Sequence, residues 1–150
     1  MTDIAMLSNE YDIYVAQFGH PLLRGAKHWS IVVMTDPNKL TGIAYQISGG
    51  TETYEVKPPE GIDLFDTPTY MGRVKVGKVA RTLVYGDNGG GSLGFILTRT
   101  PVVLGNVHWN CQNWVAEGLK RLKDAHHSID DDCLESLQRR LSSVGRESRD

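Results

Sequence analysis

The chain has 150 residues, 40% of them hydrophobic, and a formal net charge of -2. These values suit one globular domain with a real core and exclude bulk nucleic-acid binding, while a local basic patch stays compatible. Two cysteines, Cys111 and Cys133, are too few for a disulfide framework, and the polar stretch from Met1 to Glu10 lacks the apolar run of a signal peptide or membrane span, so a cytoplasmic protein without a membrane span is expected.

Tyr11 to Phe18 is rich in β-branched and aromatic residues and predicts a first strand, which Gly19-His20-Pro21 ends, with His20 in the turn. His28 to Met34 predicts a second strand, with Trp29, Ile31 and Val33 on one face and His28, Ser30, Val32 and Met34 on the other. Asp36-Pro37-Asn38-Lys39 has the composition of a turn and leads into Thr41 to Ser48, a hairpin partner. Gly49-Gly50 breaks that strand, Thr51 to Lys57 alternates as another short one, and the stretch from Pro58 to Pro68 is expected to be a loop whose Ile62, Leu64 and Phe65 fold over the core.

Arg73 to Val79 alternates apolar and basic residues, so one face belongs to a core and the other presents Arg73 and Lys75, with Lys78 and Arg81 extending the charge. Such cations either guard an edge strand against unwanted pairing or form an anion-binding rim for a phosphate, a carboxylate or a nucleic-acid backbone. The glycines of Asp87 to Ser92 lack the strand, lysine and helix context of a phosphate-binding loop, and Leu93 to Leu104 is an irregular or short helical approach interrupted by Pro101.

Asn110 is a good N-cap, so a helix is expected from Cys111 to about Lys123, with Trp114, Val115, Gly118, Leu119 and Leu122 on its buried stripe. The unpaired amides and dipole at a helix start favour a thiolate, which makes Cys111 a candidate nucleophile with a lowered pKa. An inert, packed cysteine is the competing reading, because cysteine is among the most buried residue types. After a charged break at Asp124 to Ser128, a short helix over about 129–143 is expected to carry Asp130 to Asp132 in its first turn and a stripe of Leu134, Leu137 and Leu141, followed by a disordered tail over 146–150. The expected organisation is one domain with its core over about 11–123.

A cysteine nucleophile needs a positioned base, most often histidine. His20, His126 and His127 fall in turn or linker context, His108 lies in the loop before Cys111, and His28 alone sits on a strand that can aim its ring. His28-Trp29-Ser30-Ile31-Val32-Val33 on a strand, followed far downstream by Asn110-Cys111-Gln112-Asn113-Trp114-Val115 opening a helix, resembles the circularly permuted papain-like (NlpC/P60) superfamily. The likeness extends to its lecithin retinol acyltransferase-like and PPPDE-type deubiquitinating branches, which place the histidine strand before the Asn-Cys helix. The chain also resembles small uncharacterised fungal proteins with a Trp-x-Cys-Gln-x-Trp-Val box.

This resemblance implies an α+β fold, an antiparallel β-sheet or partial barrel packed against the cysteine-bearing helix, in permuted papain-like order. It implies Cys111 as nucleophile and His28 as base. Where the acyltransferase-like branch orients that histidine with a second one, strand order places Gln46, which can hold an imidazole by a hydrogen bond but cannot neutralise it. The residues after the cysteine, usually acidic then histidine in that branch, are Gln112 and Asn113.

The implied chemistry is acyl transfer through a thioester, by hydrolysis or to an amine or alcohol, on a small-molecule or peptide substrate and without a cofactor. His108 and Asn110 are accessory candidates, His108 as an oxyanion donor or alternative base. The competing function is a non-catalytic module that holds an anionic partner on Arg73, Lys75, Lys78 and Arg81. A metal site from His28, His108 and Cys111 matches no standard zinc spacing. Oligomeric state is not encoded in any of these features.

Overall fold

Ile31, Val32, Val33 and Met34 are four successive residues, all at most 3% exposed. A strand buried on both faces requires a layer on each side of its sheet. The computed structural model describes residues 9–19, 27–84 and 90–147. His20, the first residues of the Gly-rich loop and residues 148–150 of the expected tail lie outside the described residues. The elements run β1 (Glu10–Phe18), β2 (His28–Asp36), β3 (Thr41–Tyr45), β4 (Ile47–Ser48), β5 (Glu55–Val56), β6 (Glu60–Asp63), β7 (Tyr70–Ala80), α1 (Leu93–Thr98), α2 (Cys111–Asp124), β8 (Ser128–Ile129) and α3 (Leu134–Ser142).

The fold is α+β. Six strands form one antiparallel sheet in the order β6-β3-β2-β1-β7-β8, and β4 and β5 form a separate two-stranded ribbon. β6 and β8 are the two edges of the large sheet, so among the described residues it does not close on itself. The turn from β2 to β3 is tied by Asp36, whose Oδ1 accepts from the amides of Asn38 and Lys39 at 3.1 and 3.2 Å.

One face of the sheet presents Trp29, Ile31 and Val33 to Trp114, Val115, Leu119 and Leu122 of α2 and to Leu137 and Leu141 of α3. The other buries Ala16, Phe18, Val32, Met34, Ala44 and Tyr70 together with Leu64, with no helix among the described residues of this cluster. Each large aliphatic side chain buried this way contributes about 1.5–3 kcal/mol. The stripe of α2 is the expected one, and its Gly118 marks a close approach: a Cβ there would meet Leu97 Cδ2 at 3.0 Å and Ile31 Cδ1 at 3.3 Å.

Five local expectations need correction. The strand expected over Thr41 to Ser48 breaks at Gln46, where the chain leaves the large sheet for the ribbon and the Gln46 carbonyl accepts from Lys57 N at 2.9 Å. Of Thr51 to Lys57 only Glu55 and Val56 are strand, and the loop expected after it contains β6, paired to β3 with Glu60 opposite Ala44. The last helix starts at Leu134, because Ser128 and Ile129 pair with Lys78 and Gly77 as β8 and Asp130 N continues to Val76 O. The acidic run therefore precedes the helix, and Asp132 instead accepts from Ser136 Oγ and Arg140. Finally, Arg146 and Glu147 are held rather than disordered: Arg146 donates to Phe65 and Thr67 carbonyls, and Glu147 pairs with Arg73.

Candidate active site

The histidine half of the site starts at the first residue of β2. Phe18 stands across from His28 on β1, and its ring lies 5.9 Å from the imidazole. A continued β2–β3 register would set Ser48 opposite His28; the break after Tyr45 frees Gln46 from the pleat instead. His28 Nε2 and Gln46 Oε1 are 2.7 Å apart. Gln46 Nε2 donates to Glu60 Oε1 at 2.7 Å, and Lys57 Nζ pairs with the same oxygen at 2.7 Å. The Lys57 ammonium, and after it the Gln46 amide, holds the Glu60 carboxyl below the usual carboxylate range.

The cysteine half is built by the start of α2. Asn110 caps the helix, its side-chain oxygen accepting from Gln112 N at 2.9 Å, while Asn113 Oδ1 accepts from Asn110 N at 3.0 Å. This is a capping box with asparagine in the place usually held by glutamate or glutamine. Gln112 is buried at 6% exposure and bridges two elements, donating to Lys27 O at 2.9 Å and accepting from Gln138 Nε2 at 3.0 Å. The residue after the cysteine is thereby fastened to the residue before the histidine.

The Cys111 thiol is half-buried and has Lys27 O at 3.8 Å as its acceptor. Burial pushes this thiol up, and the N–H groups of Trp29, Cys111 and Gln112, which favour a thiolate, do not cancel the effect. The lowered pKa expected from the helix start alone is therefore corrected: burial outweighs the helix-start amides, and the shift is upward.

Cys111, His28, Gln46 and Asn110 line one cavity of about 430 Å³, together with Tyr54 and Lys57. A second cavity of about 360 Å³ lies against the same His28–Gln46 pair, walled by Phe18, Ile62, Thr67 and Thr69. His108 does not line either cavity; it is exposed, with its amide on Asn106 Oδ1 at 2.9 Å. Nothing in the sequence pattern marked Lys57, Glu60 or Tyr54, because Tyr54 and Lys57 flank β5 of the ribbon that follows the break at Gln46, and Glu60 opens β6, which pairs with β3. The buried, bridging role of Gln112 was equally unmarked.

A family model matches residues 13–127, a span that holds both His28 and Cys111. The chain belongs to DUF6540. The description of DUF6540 is a family of unknown function. No curated protein and no solved structure matches this DUF6540 chain.

In this DUF6540 member Arg73 and Lys75 of β7, and Arg81 just after it, are engaged within the chain. Arg73 pairs with Glu147 at 2.8 Å and lies 4.7 Å over the Tyr14 ring, Lys75 pairs with Asp12 at 3.2 Å, and Arg81 lies 4.5 Å over the Tyr11 ring. None of them lines the cavity that holds Cys111. Among the described residues, no three histidine, cysteine or acidic side chains are grouped so as to hold a metal ion, and no helix is long and apolar enough to cross a membrane.

Proposed function

We propose that this chain is a cysteine-dependent acyl-transfer enzyme of permuted papain-like type, with Cys111 as nucleophile, His28 as base and Gln46 as the residue that orients His28. The observation that carries the reading is one cavity lined by a helix-start thiol and by an imidazole already hydrogen-bonded to a side-chain amide at 2.7 Å. His28 takes the Cys111 proton as sulfur bonds to the acyl carbon, and the carbonyl electron pair moves onto oxygen, facing the Cys111 backbone N–H. The bond to the leaving group then breaks and that group departs with the proton from His28. Water, an amine or an alcohol attacks the thioester, giving its proton to His28, and the proton returns to sulfur as the acyl group leaves. A cavity of this size suits a small-molecule or peptide acyl substrate.

The test uses Cys133→Ser as background, so that the exposed second thiol drops out, and follows iodoacetamide adducts by intact mass. Alkylation at Cys111 is expected to slow by about a hundredfold in His28→Ala. Equal rates with and without His28 would sink the reading, as would turnover of an acyl donor that survives Cys111→Ala. The pH profile has a fixed sign. Only the thiolate reacts and burial disfavours it, so the titration seen in the free enzyme lies on the alkaline side of an ordinary thiol.

A further inference from the structure

The Gln46 amide has two chemically different edges, and its neighbours decide which way each one faces. An ionised carboxylate only accepts hydrogen bonds, so the amide edge 2.7 Å from Glu60 Oε1 must be the NH2 group. Its oxygen is then the atom 2.7 Å from His28 Nε2, and an amide oxygen also only accepts. His28 Nε2 must therefore carry the hydrogen, which leaves the lone pair of the neutral ring on Nδ1.

Three geometric ties keep Glu60 in place for this task. β6 pairs with β3 so that Glu60 stands opposite Ala44, and Gln46 lies two residues further along. Lys57 Nζ holds the accepting oxygen of Glu60, and Lys57 N holds the Gln46 carbonyl at 2.9 Å, closing a loop of contacts around the amide. We propose that Glu60, fixed by Lys57, is a positioning residue that locks His28 in the Nε2–H tautomer through Gln46, making Nδ1 the atom that takes the Cys111 proton. The choice of Nδ1 as base rests on the acyl-transfer reading above; the lock on the tautomer does not.

The experiment reads the imidazole nitrogens of His28 directly, by two-bond proton–nitrogen correlation in uniformly 15N-labelled protein at about pH 8.5, where an ordinary histidine is neutral. His28 in the native chain is expected as Nε2–H. Glu60→Gln keeps an acceptor at this position and should keep that tautomer. Glu60→Lys replaces the acceptor with a donor, so the Gln46 amide turns, presents NH2 to the ring, and shifts His28 to Nδ1–H.

Glu60 is exposed, so these variants are expected to fold, which circular dichroism checks. An Nδ1–H ring in the native chain, or a native tautomer retained in Glu60→Lys, overturns the proposal. Iodoacetamide labelling of the same samples reports on the acyl-transfer reading separately. Glu60→Lys is expected to slow it about tenfold and Glu60→Gln to leave it near native. Labelling that ignores His28→Ala removes the acyl-transfer reading, while the nitrogen spectra still decide the lock.

Discussion

The two halves of the candidate site are made in different ways. The thiol half is local: Asn110, Cys111, Gln112 and Asn113 are consecutive, close their own capping box, and ride on a helix whose Trp114, Val115 and Leu122 are fully buried. The imidazole half is assembled from the start of β2, the break after β3, the residue after β5 and the start of β6, and its outer members are in solvent. The first is fixed mainly by burial and the second by directed hydrogen bonds, so the contacts that carry stability and those that orient the imidazole reside in separate places.

The strongest way to break that comparison is through the core beneath the thiol. Trp114 is 0% exposed and its Nε1 donates to Thr100 O at 3.0 Å. Trp114→Ala should cost about 3–5 kcal/mol in equilibrium urea unfolding. A loss under about 1 kcal/mol would show that the seat of α2 is not what holds the thiol half together.

Gln112→Ala comes next. It removes the hydrogen bonds that Gln112 makes to Lys27 O and from Gln138 Nε2 and should cost about 1–3 kcal/mol. The same substitution should speed alkylation of Cys111, because β2 is released from the helix start; unchanged stability and unchanged labelling together would mean that water replaces the glutamine without loss. Asn110→Ala removes the cap and should cost about 1 kcal/mol by the same unfolding measurement, with Asn110→Asp near native. A neutral Asn110→Ala would leave the capping box without energetic weight.

The same division explains how much could be read from the chain. The cap, the start of α2 and its stripe follow from short-range rules acting on adjacent residues, and the structure agrees with them residue by residue. The long strands β1 and β2 were equally legible, since β1 is rich in β-branched and aromatic residues and β2 holds the apolar run Ile31 to Met34. What was not legible is long-range. β6 hides in a Pro- and Gly-rich stretch and becomes a strand only by pairing with β3, and Ser128–Ile129 becomes β8 only against β7.

The Cys111 thiol makes the same point in electrostatics. Its helix-start position is visible in sequence and pulls the pKa down, but the burial that overrides it comes from the packing of the whole domain. Gln46 could be placed near His28 by strand order. Its partners on the far side, Glu60 and Lys57, could not, because no periodicity predicts a strand break that turns an amide sideways.

The smallest expected effect is the one that separates the two halves most sharply. Lys57 and Glu60 form an ion pair whose side chains are 37% and 43% exposed, a setting in which screening and side-chain entropy leave little net gain. Glu60→Ala should therefore shift unfolding by less than about 0.5 kcal/mol, well under Gln112→Ala. It nevertheless removes the acceptor that fixes the Gln46 amide, so the His28 nitrogens should report a mixture of tautomers in a protein of native stability. If Glu60→Ala instead cost as much as Gln112→Ala, the imidazole half would be part of the scaffold, and any change in its proton chemistry would follow from loosened structure rather than from the turned amide.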